Sequence, residues 1–253
     1  MEMKRIACMM IAMLLAYCAA SQSAVTLARE GDSSYREGDY AGAIECYETA
    51  LATGRGAAEV YYNLGNAYYR DNQIGRAILN YERALRLRPG MKDARANLEL
   101  ANEHTVDRIA ELPQWFVVRW WNALTNNVLP STWRVVWLLA LLLLAAAVVG
   151  LFVGRGTGLR RWCIAVGLFG VLFLATVSIL LVKTTVNYNA HRAAIVMQDA
   201  VAVKSSPEQR SADLLILHEG TRVVISESLQ GWERITIADG TTGWCTTDAV
   251  ERV

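Results

Sequence analysis

The chain has 253 residues, 53% of them apolar, and a formal net charge of +1. That composition is too hydrophobic for one soluble domain and too evenly charged for a nucleic-acid binder, so it predicts membrane segments and excludes nucleic acid as a partner. At the start, Lys4 and Arg5 precede an apolar run from Ile6 to Ala20 and small residues from Ala19 to Ser23. This is the three-part pattern of a secretory signal, assigned to residues 1–23, with cleavage expected near Ala20 or Ser23. Tyr17 is too bulky for the small residue that normally precedes a lipidated cysteine, which argues against lipidation at Cys18.

The next segment carries a repeat. In YYNLGNAYYRDNQIGRAILNYERALRLRP, Tyr61 to Pro89, the polar triplet Asp71-Asn72-Gln73 separates two stretches whose apolar residues recur every three or four positions. The spacing predicts helix A over Glu59–Arg70 and helix B over Ile74–Arg88, with Gly65 and Ala77 letting the pair approach closely. Thirty-four residues upstream, Gly31, Ala43, Tyr47 and Ala50 stand in register with Gly65, Ala77, Tyr81 and Ala84, and Tyr35-Arg36 with Tyr69-Arg70. Downstream by the same step, Asn97-Leu98 matches Asn63-Leu64, after which a polar capping helix is expected to end near Leu112-Pro113. Recurrence at fixed period marks a unit that buries its apolar face only by stacking. The set Tyr61, Leu64, Gly65, Tyr68, Ala77, Tyr81, Ala84 and Pro89 resembles the tetratricopeptide repeat, over about 25–57 and 58–91 within a domain at 24–112.

Residues 113–134 hold Trp115, Trp120, Trp121 and Trp133 beside Phe116 and Val117. Indole rings favour the headgroup zone, so this segment is expected to lie along the membrane–water interface, the alternative being a hydrophobic docking surface. Val135–Val153 and Cys163–Val182 are uncharged runs of 19 and 20 residues, each long enough to cross a hydrocarbon core of roughly 30 Å. The loop 154–162 carries Arg155, Arg160 and Arg161 and no acid, which predicts a cytoplasmic hairpin with both flanking domains on the other side. Its Gly154-x-Gly156-x-Gly158 has neither the preceding strand nor the following soluble helix of a phosphate loop and reads as a turn.

From about Ala193, short alternating runs such as TRVVIS, WERITI and TGWCT are separated by turn signals and predict a small β-barrel over 193–253. Ser206-Pro207, Gly220, Gly231-Trp232 and Gly243-Trp244 resemble, in that order, the bacterial SH3-like domain. Trp232 and Trp244 are its candidate surface pair, or barrel packing. The expected fold class is thus a multidomain membrane protein: an all-α tetratricopeptide solenoid, a two-helix transmembrane hairpin and a small all-β SH3-like barrel.

Chemistry is sparse. His104, His191 and His218 have no second ligand at a metal spacing, so no metal site and no cofactor are expected. Cys46 falls beside packing residues and reads as a buried thiol rather than half of a disulfide. Cys245 with His218 would lack an orienting third group and an oxyanion hole, so no catalytic residues are assigned and no enzyme is expected. The repeat resemblance implies a concave groove lined by Tyr35, Arg36, Tyr62, Asn63, Asn66, Tyr69, Arg70 and Asn97, with amides for a peptide backbone and arginines for a carboxylate. Alternatively these are ordinary exposed helix residues. Tyr62 stands where the family's carboxylate clamp has a basic residue.

The whole order of signal, repeats, Trp-rich segment, hairpin and SH3-like tail resembles the Bat-type tetratricopeptide/SH3 proteins of the Bacteroides aerotolerance operon family. That resemblance implies a bacterial inner-membrane scaffold with both terminal domains in the periplasm. It also implies membrane-protein partners, including ones with von Willebrand A domains. The other reading is a cell-wall tether, its SH3-like domain holding peptidoglycan.

Overall fold

The computed structural model describes residues 23–53, 57–109, 115–126, 128–153, 156–189 and 192–253. The signal expected over 1–23 therefore lies outside the described residues except for Ser23. Two compact units form, one from the helical repeats together with the tail and one from residues 113–191.

In the first unit, α1 (residues 23–37) and α2 (Tyr40–Ala52) make one helix pair, α3 (Ala58–Arg70) and α4 (Ile74–Leu87) a second, and α5 (Lys92–Glu103) packs on α4. The 34-residue period extends to the backbone. Gly38 and Asn72, one period apart, both turn through positive φ (86° and 61°). In each turn the next N–H closes on a helix carbonyl at 2.9 Å, Asp39 on Ser34 and Gln73 on Tyr68. Asparagine tolerates this left-handed conformation where glycine is not available.

Gly65 makes room for an aromatic ring. A Cβ there would stand 2.7 Å from Tyr81 and 3.3 Å from the Ala77 carbonyl, and one at Gly31 would stand 2.7 Å from Tyr47. The capping helix stops at Glu103, short of the expected Leu112-Pro113, when the His104 N–H closes on the Ala101 carbonyl.

The tail forms one antiparallel sheet from β1 (Ala193–Val196), β2 (Ala200–Lys204), β3 (Asp213–His218), β4 (Arg222–Leu229), β5 (Trp232–Thr236), β6 (Thr242–Thr246) and β7 (Val250–Arg252), in the order β3-β2-β6-β5-β4-β1-β7. Its inner face encloses Val201, Val203, Leu217, Val223, Ile225, Ile235 and Cys245. The expected barrel is not closed, because β3 and β7 are edges that do not pair. Both edges are met by side chains of the helical region. Arg83 donates to the Arg252 carbonyl on β7 at 2.8 Å, and the Asp107 carboxylate accepts the His218 N–H on β3 at 2.7 Å. Covering an edge in this way satisfies the groups that a closing strand would otherwise take.

The repeats and the tail, read from sequence as separate domains, share a core. Ile78 and Leu79 of α4 are buried in one cluster with Ile195 and Val253. Around it the Gly75 N–H donates to Glu219, Arg222 pairs with Glu82 at 2.9 Å, Arg83 with Glu251 at 2.8 Å, and Arg86 donates to the Val253 carbonyl at 2.6 Å. Gly220, at φ 86°, lets the β3–β4 turn settle on α4, since a Cβ there would meet Thr105 and Ile78 at 2.8 and 3.0 Å.

In the second unit, α6 (Phe116–Asn126) precedes α7 (Pro130–Val153) and α8 (Thr157–Asn189). Two helical segments, Pro130–Val153 and Arg160–Tyr188, are long and apolar enough to cross a membrane. Both exceed the expected spans, and α8 begins inside the expected 154–162 loop, with Gly158 already helical. Small residues hold α7 against α8: Ala140 and Ala147 are buried, and Gly150 leaves space that a Cβ would contest with Cys163 Sγ at 2.8 Å. The Trp137 indole N–H donates to Ser178 Oγ at 2.9 Å. Trp115, Phe116 and Trp120 are exposed, and the Lys183 ammonium stands 5.4 Å from the centre of the Trp121 ring.

Candidate functional site

The face formed by α1, α3 and α5 carries a hydrogen-bonded ladder with the same 34-residue period as the helices. In its first rung, Asp32 Oδ1 accepts from the Tyr47 hydroxyl at 2.7 Å and from Asn63 Nδ2 at 3.1 Å. In its second, Asn66 Oδ1 accepts from the Tyr81 hydroxyl and from Asn97 Nδ2, both at 2.8 Å. Asn97 Nδ2 also reaches the Tyr62 hydroxyl at 3.3 Å. One oxygen on a first helix thus collects the tyrosine of its own repeat and the asparagine of the next, tying successive repeats together. The next position in register is Leu100, which is exposed and carries no acceptor, so the ladder ends at the cap.

Burial raises the Tyr47 pKa, and its hydrogen bond to Asp32 raises it further; burial likewise raises that of Tyr81. Both hydroxyls therefore stay protonated and remain donors. Burial also raises that of Tyr35, against the opposing pull of Arg70.

Next to the first rung is a cavity of about 350 Å³ lined by Asp32, Tyr35, Arg36, Tyr47, Asn63 and Asn66. Four of the eight expected groove residues, Tyr35, Arg36, Asn63 and Asn66, come together there, while Tyr62 and Asn97 belong to the ladder beside it. Tyr69 and Arg70 do not line the cavity. The Tyr69 hydroxyl is 3.0 Å from His104 Nε2, and the Arg70 guanidinium lies 5.0 Å from the centre of the Tyr40 ring. Asn63 and Asn66 are half-buried, each with one end of its amide engaged within the protein, so only the other end is left for a ligand. Asp32 escaped the sequence reading because its counterpart is Asn66, and comparing identities hides a shared oxygen. The signal lay in the chemistry of positions 32 and 66 rather than in their letters.

In the tail, Trp232 and Trp244 are half-buried on the sheet face opposite Glu233 and Cys245, with Arg234 directly across from Trp244. Cys245 is fully buried in the sheet core, and its thiol is pushed up to about 12 by desolvation. His218 is engaged elsewhere: its Nδ1 is 2.7 Å from Asp107 Oδ1. Cys46 is half-buried rather than buried, and both cysteines are free thiols. Among the described residues no group of three or more His, Cys, Asp or Glu could hold a metal ion.

Residues 29–92 match the model of the tetratricopeptide repeat family, from within α1 to the first residue of α5. This region has tetratricopeptide-repeat character, and such repeats are protein-interaction modules. Comparison with curated proteins gives no match.

Proposed function

We propose that the protein is a non-enzymatic, membrane-anchored scaffold that holds an extended segment of a partner protein in the groove formed by α1, α3 and α5. One observation carries this reading. The ladder uses some polar atoms of the groove for structure yet leaves others, including Asn63 Oδ1, Asn66 Nδ2 and the terminal nitrogens of Arg36, beside an open cavity. Such a mixture of acceptors and donors suits a peptide main chain with one charged side chain. The two long apolar helices, largely uncovered by protein, support anchoring in a bilayer. Two spans return the chain to the side it left, as the shared core of repeats and tail requires. With the arginine-rich hairpin inside, both terminal regions lie in the periplasm of a bacterial inner membrane. The order of elements favours a place in an aerotolerance complex of the Bat type, beside von Willebrand A-domain membrane proteins.

The test is crosslinking in native membranes followed by mass spectrometry. A variant with Arg36→Glu and Tyr35→Ala should lose the partners that the parent captures. A phosphatase fused after Val253 should be active and one fused after Gly156 inactive. The tether reading draws on the half-exposed Trp232 and Trp244 flanking Arg234, a surface on which a sugar ring could stack. If Trp232→Ala with Trp244→Ala abolishes retention on purified sacculi while the groove variant keeps every membrane partner, the tether reading replaces the scaffold.

A further inference from the structure

We propose that Asp32 makes the cavity a receptor for a cationic N–H group of the bound segment: a lysine ammonium, an arginine guanidinium or a free amino terminus. This rests on the groove reading and narrows it. The chain contains its own control. At position 66 a neutral amide oxygen receives the tyrosine hydroxyl and the asparagine N–H, and at position 32 one carboxylate oxygen receives the same two donors. The ladder therefore needs one oxygen and no charge. The negative charge and second oxygen of Asp32 are surplus to the fold, and a half-buried carboxylate loses hydration that an amide would not.

Among the described residues Asp32 forms no ion pair; Arg36, the adjacent candidate, donates Nε to the Asp32 main-chain carbonyl at 3.0 Å instead. Asp32 Oδ2 and Asn63 Oδ1 remain as acceptors lining a cavity of about 350 Å³. That is the small end of the roughly 300–1,000 Å³ range of ligand pockets. It matches one side chain with a short stretch of main chain. The Tyr35 ring adds an aromatic surface that favours a cation. Arg36 lines the same cavity and meets a carbonyl or carboxylate next to the cation, so the pocket selects a basic group with an acceptor beside it rather than bulk positive charge.

The experiment uses the full chain in lipid nanodiscs and a pooled synthetic library of random dodecapeptides with free or acetylated amino termini, beside a neutralised library in which every amine is acetylated and every arginine is replaced by citrulline. Peptides whose only cation is lysine, arginine or the amino terminus are scored separately, which distinguishes the three sources. The parent should enrich cationic peptides about tenfold or more over their neutralised forms, the scale of one charge-assisted hydrogen bond. Asp32→Asn should erase that enrichment with an unchanged thermal melt, since the second rung already works with an amide. The reciprocal Asn66→Asp should increase retention of cationic peptides. Retention indifferent to neutralisation and to Asp32→Asn would overturn the inference and leave the groove reading standing. No peptide retention by the parent would remove both. A melt lowered by Asp32→Asn would show the charge to be structural, and that too would overturn the inference.

Discussion

The two faces of the second repeat have been used in opposite ways. On one, α4 gives up its apolar side chains and most of its arginines to the sheet: Ile78 and Leu79 are buried, Arg83 is paired, and Arg86 is bonded. On the other, α3 contributes to a ladder that consumes only part of its hydrogen-bonding capacity and leaves the rest facing a cavity. Where polar and apolar groups are all matched internally, the surface supports the fold. Where matching stops halfway, a ligand has something to complete. In this respect the proposed groove differs from the face that the sheet covers.

The largest test of that contrast is truncation before Ala193. It would uncover Ile78 and Leu79, each contributing about 1.5–3 kcal/mol when buried, so the repeats should lose about 3–6 kcal/mol. Hydrogen exchange of α3 and α4 measures it, and unchanged protection would mean that the sheet is a passenger. Read as separate domains, the repeats would survive this truncation intact; the shared core reverses that expectation.

Gly65→Leu acts from the opposite side, driving a side chain into the Tyr81 ring, and should lower stability by about 1–3 kcal/mol or unfold the pair outright. A circular-dichroism melt equal to the parent's would refute the close packing of Gly65 and Tyr81.

Asp107→Ala comes next, at about 1–3 kcal/mol, because it leaves the His218 N–H and the Thr221 hydroxyl without their acceptor. Burial pushes the Asp107 carboxyl up, but hydrogen bonds from Thr221, the His218 main chain and the His218 ring outweigh it and hold the pKa below the usual range. A carboxylate with a depressed folded pKa lends stability above its unfolded pKa of about 3.9, and that stability is lost as pH falls through the folded value. Protection of β3 and the β3–β4 turn should therefore decline below about pH 4 in the parent and show less acid dependence in Asp107→Ala. The smallest effect is expected for Glu251→Gln. The Glu251 side chain is half exposed where it pairs with Arg83, and Arg83 keeps its bond to the Arg252 carbonyl, so equilibrium unfolding should shift by no more than about 1 kcal/mol, and less at high salt.

The helices were legible because their information is local and repeated: the polar triplet Asp71-Asn72-Gln73 located the turn at Asn72, and helix B ends one residue earlier than expected. The strands were legible from alternation. Barrel closure was not, because edge pairing is decided by what reaches the edge, and Arg83 and Asp107 look like solvated charges in the sequence. Nor was the shared core, since Ile78 reads as any buried helix residue until Ile195 is found in the same buried cluster. Of the eight residues expected in the groove, four line the cavity, and Asp32 beside them was missed because an oxygen acceptor can be kept while the residue name changes.

The sheet that shelters α4 is also made late. Ile195 follows Ile78 by 117 residues, a stretch that includes both long apolar helices. At about 5–20 residues per second, the apolar face of α4 waits roughly 6–23 s after its synthesis before its cover exists. During that interval the repeats are formed in outline but greasy on one side, a period in which the chain needs an escort or a slow neighbour. Among the strands of the sheet β7 is made last, and Arg83 holds it through the Arg252 carbonyl, so the repeats gain their full cover only once Arg252 has been synthesised.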